Sequence, residues 1–409
     1  MTFCPDHDPV ALGASAAEPA GEGPDADGPH PAVAAALRQA IAAGGGRIPF
    51  ADYMALALYH PEGGYYLQPE RRPGRGGDFL TAPEAHPFFG RTLARQVVEC
   101  WERLGRPRPF VVREDGAGTG VLAYDLLSGL AAEAPAALDG LRYLLVEPNP
   151  HRRAEAVAAL AENGFGGVVE AAEPDAVAPF TGVSLANEVA DALPVHRLVW
   201  RDGALRERWV IRRGDGFGEE EGPLSPAMVA FDPAAYLARV GVAPKEGDRF
   251  DLSPAAAEWM AGVARSIRRG YAVVVDYGYE AAILYRDHRL AGTVRAHRRH
   301  AVTDDPFGAP GREDLTAHVD FSLLAEAAGR EGMTVAGFTS QGAFLASLGL
   351  GDLLVRLGQD PETTAAAYYA AQAATLRLVD PGGMGRFGVL ILAKDAPIEP
   401  PLRGFGVRL

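Results

Sequence analysis

From Pro109 onward the chain alternates short, continuously apolar runs with amphipathic segments, and this alternation restricts the fold more than any other feature. "PFVVRE" (109–114) leads through a glycine-rich turn into "VLAYDLLSGLAAEA", and "RYLLVE" (142–147) leads into "HRRAEAVAALAENG". "GVVEA", "GVSLANE" and "YAVVVDYG" (271–278) supply a third, fourth and fifth strand. Strands that alternate with helices form a parallel sheet whose crossovers pack on its faces. Runs such as "AVVV" lack polar alternation, which marks strands covered on both sides. The expected fold class is therefore α/β.

The remaining segments arrange themselves around that core. Residues 1–30 are Ala, Gly, Pro and Asp with few large apolar side chains, so they are expected to be disordered. Helical patterns over 31–46, 48–66 and 86–105 make residues 31–105 an N-terminal helical lobe, interrupted by the loop "PGRGGDFLTAPE" (73–84). The core is expected to comprise 106–200 and 271–409. Residues 201–270 interrupt it as an insertion between strands four and five, at the sheet end where a substrate cap would sit. That region opens on a hairpin turning at Asp202-Gly203 and ends in a helix with Ser253 as N-cap and Pro254 at its first position. The C-terminal third reads as "TVAGFTSQ", two helices over 342–380 and a last strand, "FGVLILAK".

The turn after the first strand, "EDGAGTG", places Gly116, Gly118 and Gly120 where backbone can approach a ligand at a helix N-terminus. A dinucleotide fingerprint would need glycine at 121, where Val121 stands, and the P-loop Gly-Lys-Ser/Thr is absent. Glu114, two residues before the first glycine, repels a pyrophosphate and attracts the ammonium of S-adenosylmethionine (SAM). Glu147 ends the second strand, where an acid accepts both ribose hydroxyls of an adenosine. Taken alone, each acid also reads as a solvated strand end, and the glycines as a plain turn; together they point to SAM.

Charge and cysteine content narrow the partners. The formal net charge of −14 disfavours nucleic acid and anionic membranes, and suits a cationic substrate. Two cysteines, Cys4 and Cys100, give no disulfide framework. The N-terminal stretch is acidic, with no arginine before Arg38 and no signal-peptide core, so a cytoplasmic location is expected.

The motifs "ALYHPEGGYY", "GGDFLTAPE", "REDGAGTGVLAYDLL", "YLLVEPNPHRR", "LANEVADALPVHR", "VVVDYG", "GTVRAHRRH", "PGREDLTAHVDFSLL" and "FGVLILAK" run in order over roughly residues 50–395. In these the chain resembles the MidA family of SAM-dependent methyltransferases, which includes a mitochondrial complex I assembly factor that methylates a protein arginine. The resemblance implies a seven-stranded Rossmann-like class I methyltransferase sheet with an antiparallel last strand, a helical N-terminal lobe and the cap insertion. It also implies that the 73–84 loop closes on the cofactor, with Asp78, Thr81 and Glu84 as cofactor-binding candidates beside Glu114, Gly116, Gly118, Gly120, Glu147 and Asn187. The sequence departs from the family at Asp115, at Asn149 and at Val189-Ala190, where an apolar residue, a serine and bulky aromatics are usual.

"ANEVADALP" places Asn187, Glu188 and Asp191 at the end of the fourth strand, beyond which open α/β sheets bind ligands. These residues also read as turn and helix caps. The functional reading is a carboxylate clamp, with Glu188 and Asp191 as the catalytic pair. A guanidinium is a poor nucleophile, and two carboxylates grip it by charge-assisted hydrogen bonds and align one nitrogen with the methyl group. His318 and Asp276 are substrate-side candidates. His297 and His300 read as a solvated basic segment rather than a metal site. The expected activity is methylation of a cationic protein or peptide acceptor at arginine. A small-molecule N- or O-methyltransferase and a SAM-binding assembly factor without turnover are the alternatives, and a homodimer is among the expected assembly states.

Overall fold

The computed structural model describes residues 28–68, 80–286, 292–298 and 301–406. Most of the N-terminal stretch expected to be disordered, residues 1–27, lies outside them, as do Asp78 and His300.

The centre is a seven-stranded sheet, labelled here in chain order: β1 (Phe110–Asp115), β2 (Leu141–Val146), β3 (Val169–Ala172), β4 (Phe180–Asn187), β5 (Ile267–Asp276), β6 (Thr334–Ser340) and β7 (Gly388–Lys394). Their order across the sheet is β6-β7-β5-β4-β1-β2-β3. Pairings among β1 to β5 are parallel, and β7 runs antiparallel to both its neighbours. The mixed α/β architecture with a mostly parallel sheet follows from the strand–helix alternation: each crossover helix covers a face that the apolar strands cannot leave in water. On one face, helices Phe88–Arg103 and Val121–Glu133 bury Leu93, Val97, Leu126 and Leu130 against Val112, Leu145 and Val273. On the other, Pro254–Ser266 and Phe321–Arg330 bury Met260, Val263 and Leu324 against Val111, Val274 and Leu392. Among the described residues no helix is long and apolar enough to cross a membrane.

A second, antiparallel sheet joins Arg47–Pro49, Ala204–Arg213, His196–Arg201 and Arg249–Leu252, with Gly216–Gly222 paired to Ala204–Arg213. Its first hairpin turns at Asp202 (φ 49°) and Gly203 (φ 78°), as the Asp-Gly dipeptide predicts. Ser253 caps the following helix, its Oγ accepting the Ala256 N–H at 3.0 Å.

Three sequence expectations change. Residues 31–105 do not pack as one unit. Pro31–Ala43 and Phe50–Tyr59 pack on the second sheet through Val33, Leu37 and Met54, whereas Phe88–Arg103 belongs to the central core. Residues 342–380 hold parts of three helices, Gln341–Ser347, Leu350–Gln359 and Ala365–Val379, because Gly349 at φ 80° breaks the first from the second. The short strands Arg295–Arg298, Ala301–Thr303 and Asp314–Thr316 form a small sheet that the sequence pattern did not disclose.

The departure at Asp115 has a local partner. Arg113, on the same face of β1, donates Nε and Nη2 to Asp115 at 2.8 and 2.7 Å, and Nη1 to Ser266 Oγ at 3.1 Å. Both side chains are under 5% exposed. Removing one member strands a buried charge, whereas replacing both with apolar residues does not. Arg113→Met should cost about 3–5 kcal/mol, and Arg113→Met with Asp115→Leu should recover most of it. Thermal and urea unfolding of the two variants measures the difference.

Candidate active site

The carboxyl ends of β1, β2 and β4 open into one cavity of about 330 Å³. Glu84, Glu114, Asp115, Glu147, Glu188 and Asp191 all reach its wall, together with Tyr59, Tyr66, Thr81, Arg152, Asn187 and Trp259.

Its floor is the glycine turn. Gly116, Gly118 and Gly120 have φ of 70°, 54° and 81°, the left-handed region that a side chain disfavours. A Cβ on Gly116 would lie 2.6 Å from Val189 Cγ2, so that glycine also seats the turn against the loop after β4. A Cβ on Gly118 would meet nothing nearer than Gly116 O at 4.0 Å, so its backbone faces open space. Gly118 N donates to Glu147 Oε2 at 2.9 Å, and Asn149 N donates to Oε1 at 2.9 Å, which fixes the Glu147 carboxylate between turn and strand end. Asn149 accepts from His151 N and Arg152 N as a helix cap and donates to Tyr66 O at 3.0 Å, ties that a serine would reach less far to make. Glu114 is buried and accepts from Tyr143 Oη at 2.5 Å. Burial pushes its carboxyl up to about 8, against the opposing pull of that hydrogen bond.

The loop after β4 carries the acids singled out in the sequence. Glu188 has φ 52°, rare for a residue with a side chain, and its N–H still donates to Val275 O at 2.9 Å. Its Oε1 accepts from Ala82 N at 3.2 Å and from Asn187 Nδ2 at 3.0 Å. Burial raises the Glu188 carboxyl to about 8, the Ala82 N–H lowers it, and Asp276 raises it further. Asp191 is raised well above the carboxylate range by burial and then by Asp276, Asp314 and Glu188. Asn187 Oδ1 is buried and has no hydrogen-bond partner among the described residues. Thr81 and Glu84 close on each other at the start of Ala82–Ala85, Thr81 Oγ1 donating to Glu84 Oε2 at 3.0 Å.

Two substrate-side expectations are corrected. Asp276 is fully buried beneath the loop and off the cavity wall. Its Oδ2 accepts the N–H groups of Val189, Ala190 and Asp191 at 3.1, 2.8 and 3.3 Å, and its Oδ1 that of Tyr277 at 2.7 Å. Both oxygens of Asp276 thus hold backbone. His318 lies outside the main cavity, against the Tyr277 ring at 4.1 Å and beside a separate void of about 10 Å³. The sequence reading missed Tyr59, Tyr66, Tyr143, Arg152 and Trp259. The tyrosine-rich "ALYHPEGGYY" was the available signal for the first two.

The residues fit SAM: open glycine backbone, two strand-end acids, and on the wall a buried amide oxygen without a partner among the described residues. Comparison with known proteins agrees. The family described as "Putative S-adenosyl-L-methionine-dependent methyltransferase" matches residues 92–339. "Protein arginine methyltransferase NDUFAF7 homolog, mitochondrial" of Drosophila melanogaster is 30% identical, over 82% of this chain and 80% of that protein. Its Danio rerio counterpart is 29% identical, over 87% and 86%. A crystal structure from Burkholderia thailandensis bound to S-adenosyl-homocysteine superposes with a TM-score of 0.84 and 36% identity, covering 94% of this chain and 97% of that one. The expected cytoplasmic location is overturned by the curated relatives, which are named as mitochondrial. An acidic N-terminal stretch and few cysteines do not fix the compartment, since any reducing compartment suits free thiols.

The raised carboxyls set a pH dependence. Where a folded pKa exceeds the unfolded one, the folded state holds the extra proton, so stability is present below the unfolded value and is lost as pH rises through the folded one. For Glu114 and Glu188 that window runs from 4.5 to about 8. Glu114→Gln and Glu188→Gln should therefore gain stability relative to the ligand-free parent as pH is raised across it. Melting midpoints measured from about pH 5 to about pH 8.5 check the sign.

Proposed function

Because this chain belongs to the family of S-adenosyl-L-methionine-dependent methyltransferases and is such an enzyme, we propose that it methylates an arginine side chain of a protein or peptide partner, with Glu188 and Asp191 as the guanidinium clamp. The observation that carries this reading is the pair of carboxylates on one cavity wall, presented by a loop whose backbone is fixed from below by Asp276. Relatives named as protein arginine methyltransferases support the choice of acceptor. The charge of −14 supports a cationic partner over nucleic acid or an anionic membrane.

In this reading Gly116, Gly118 and Gly120 admit the cofactor to the turn, Glu147 holds the ribose hydroxyls, and Glu114 faces the ammonium. Asn187, Thr81 and Glu84 complete the methionine side. SAM supplies a methyl group made electrophilic by its sulfonium. Glu188 and Asp191 accept the guanidinium N–H groups and fix one nitrogen for in-line attack. As the nitrogen bonded to the methyl carbon, the S–CH3 bond would break to leave S-adenosyl-homocysteine, and the nitrogen would give up a proton. Glu188 or Asp191, ionised against the bound cation, is placed on the cavity wall to take that proton. The apolar wall of Pro83, Val189 and Leu193 excludes water.

The finer fold assignment belongs to the same proposal. The sheet is of the Rossmann-like class I methyltransferase type, a view supported by the strand order and the antiparallel β7. Residues 201–270 act as a cap over the acceptor side, Thr81 and Glu84 close on the cofactor from the N-terminal side, and 106–200 with 271–409 bind it.

Glu147→Ala and Gly118→Val should weaken SAM binding about ten- to a hundred-fold, the first by losing charge-assisted hydrogen bonds and the second by strain and bulk. Calorimetry reads this directly. Glu188→Gln and Asp191→Asn should lower methyl transfer about a hundred-fold or more while cofactor affinity changes far less. Turnover of SAM to S-adenosyl-homocysteine, followed by mass mapping of the methylated site, tests both the residues and the acceptor. Methyl groups found only on a small molecule would refute the arginine assignment.

A further inference from the structure

Tyr59 and Tyr66 lie on the cavity wall, yet neither the cofactor contacts nor the carboxylate clamp uses them. They come from two separate elements, the helix Phe50–Tyr59 and the short turn Tyr65–Leu67, and stack with ring centroids 5.7 Å apart and an interplanar angle of 23°. Both hydroxyls are committed elsewhere. Tyr59 Oη donates to Ala192 O at 3.1 Å, on the loop that carries Asp191. Tyr66 Oη donates to the buried Asp314 Oδ1 at 2.8 Å. Asp191 is tied into the same cluster, its carbonyl accepting Ala317 N at 2.9 Å. The turn beneath the pair is itself pinned: Asn149 Nδ2 donates to Tyr66 O at 3.0 Å, and Gln68 Nε2 to Gly63 O at 2.9 Å. With the hydroxyls bound to protein, these residues have ring surface left to offer a ligand.

We propose that the Tyr59–Tyr66 pair is the specificity wall for the methyl acceptor, its aromatic surface packing on the planar guanidinium and aliphatic stem of an arginine whose charge is held at Glu188 and Asp191. The proposal rests on the arginine-acceptor reading and adds what selects that side chain. A guanidinium is planar, weakly hydrated and stacks on aromatic rings, whereas an ammonium is compact and strongly hydrated. Carboxylates alone attract either cation; a stacked aromatic wall beside them favours the flat one. Ala192 and Asp314 fix the rings before the acceptor arrives, so little ordering entropy is lost on binding.

The test uses the full chain saturated with S-adenosyl-homocysteine and two end-blocked tripeptides, glycine-arginine-glycine and its neutral citrulline isostere. Wild type should bind the arginine peptide more tightly than the citrulline one. Tyr59→Leu and Tyr66→Leu should weaken the arginine peptide about two- to thirty-fold while the S-adenosyl-homocysteine Kd stays within about two-fold. Tyr59→Phe and Tyr66→Phe, which keep the ring, should lie closer to wild type than the leucine variants do. Leucine variants that bind the arginine peptide as wild type does would overturn the wall. So would parallel losses of peptide and S-adenosyl-homocysteine, which would place the rings over the cofactor or in the scaffold. A wild type with no preference for arginine over citrulline would sink the arginine reading itself, and the wall with it.

Discussion

One buried carboxylate organises the reactive end of this molecule. Asp276 closes β5 and accepts four backbone N–H groups, three of them from consecutive residues of the loop after β4. A loop of this kind has no ladder partners of its own, and buried N–H groups without acceptors are costly. Asp276 supplies those acceptors from the neighbouring strand, so the position of Glu188 and Asp191 is set by the register of β4 against β5. Asp276 is fully buried beneath the loop, and that burial raises its carboxyl to about 6 despite its donors.

Above that support the cavity concentrates acids in a space with little solvent. Desolvation by burial, and then like charges, push Glu114, Glu188 and Asp191 towards the neutral form in the absence of a cation. A sulfonium and a guanidinium are the groups that would reverse this, since each supplies the positive charge the wall lacks. The same imbalance that costs stability in the free protein therefore favours cationic ligands.

The departures from the family pattern are accounted for by neighbours rather than by new chemistry. Asp115 is tolerated inside the sheet because Arg113 lies two residues back on the same face and grips it with two hydrogen bonds. Asn149 both caps its helix and reaches Tyr66, linking the cofactor end of the cavity to the aromatic pair. Val189, smaller than the usual aromatic, packs where a Cβ on Gly116 would intrude. Each case couples residues distant in sequence or on alternate positions of one strand.

The sequence by itself determined the strand–helix alternation, the glycine turn, the Asp202-Gly203 hairpin and the Ser253 cap, because these depend on local backbone preference and on periodicity along a single element. It also marked Glu114, Glu147, Glu188 and Asp191, since strand ends are where an α/β sheet opens to ligands. What it did not disclose depends on packing between elements. Asp276, a substrate contact by its sequence position, holds backbone with its oxygens, and His318 lies off the wall of the main cavity. Tyr59 and Tyr66 stand in the tyrosine-rich "ALYHPEGGYY", but only the tertiary fold stacks them beside Asp191. The segments 31–46, 48–66 and 86–105 have helical periodicity, yet which sheet each helix covers is decided by complementary apolar surfaces, and complementarity is a property of two surfaces that no single stretch of sequence contains.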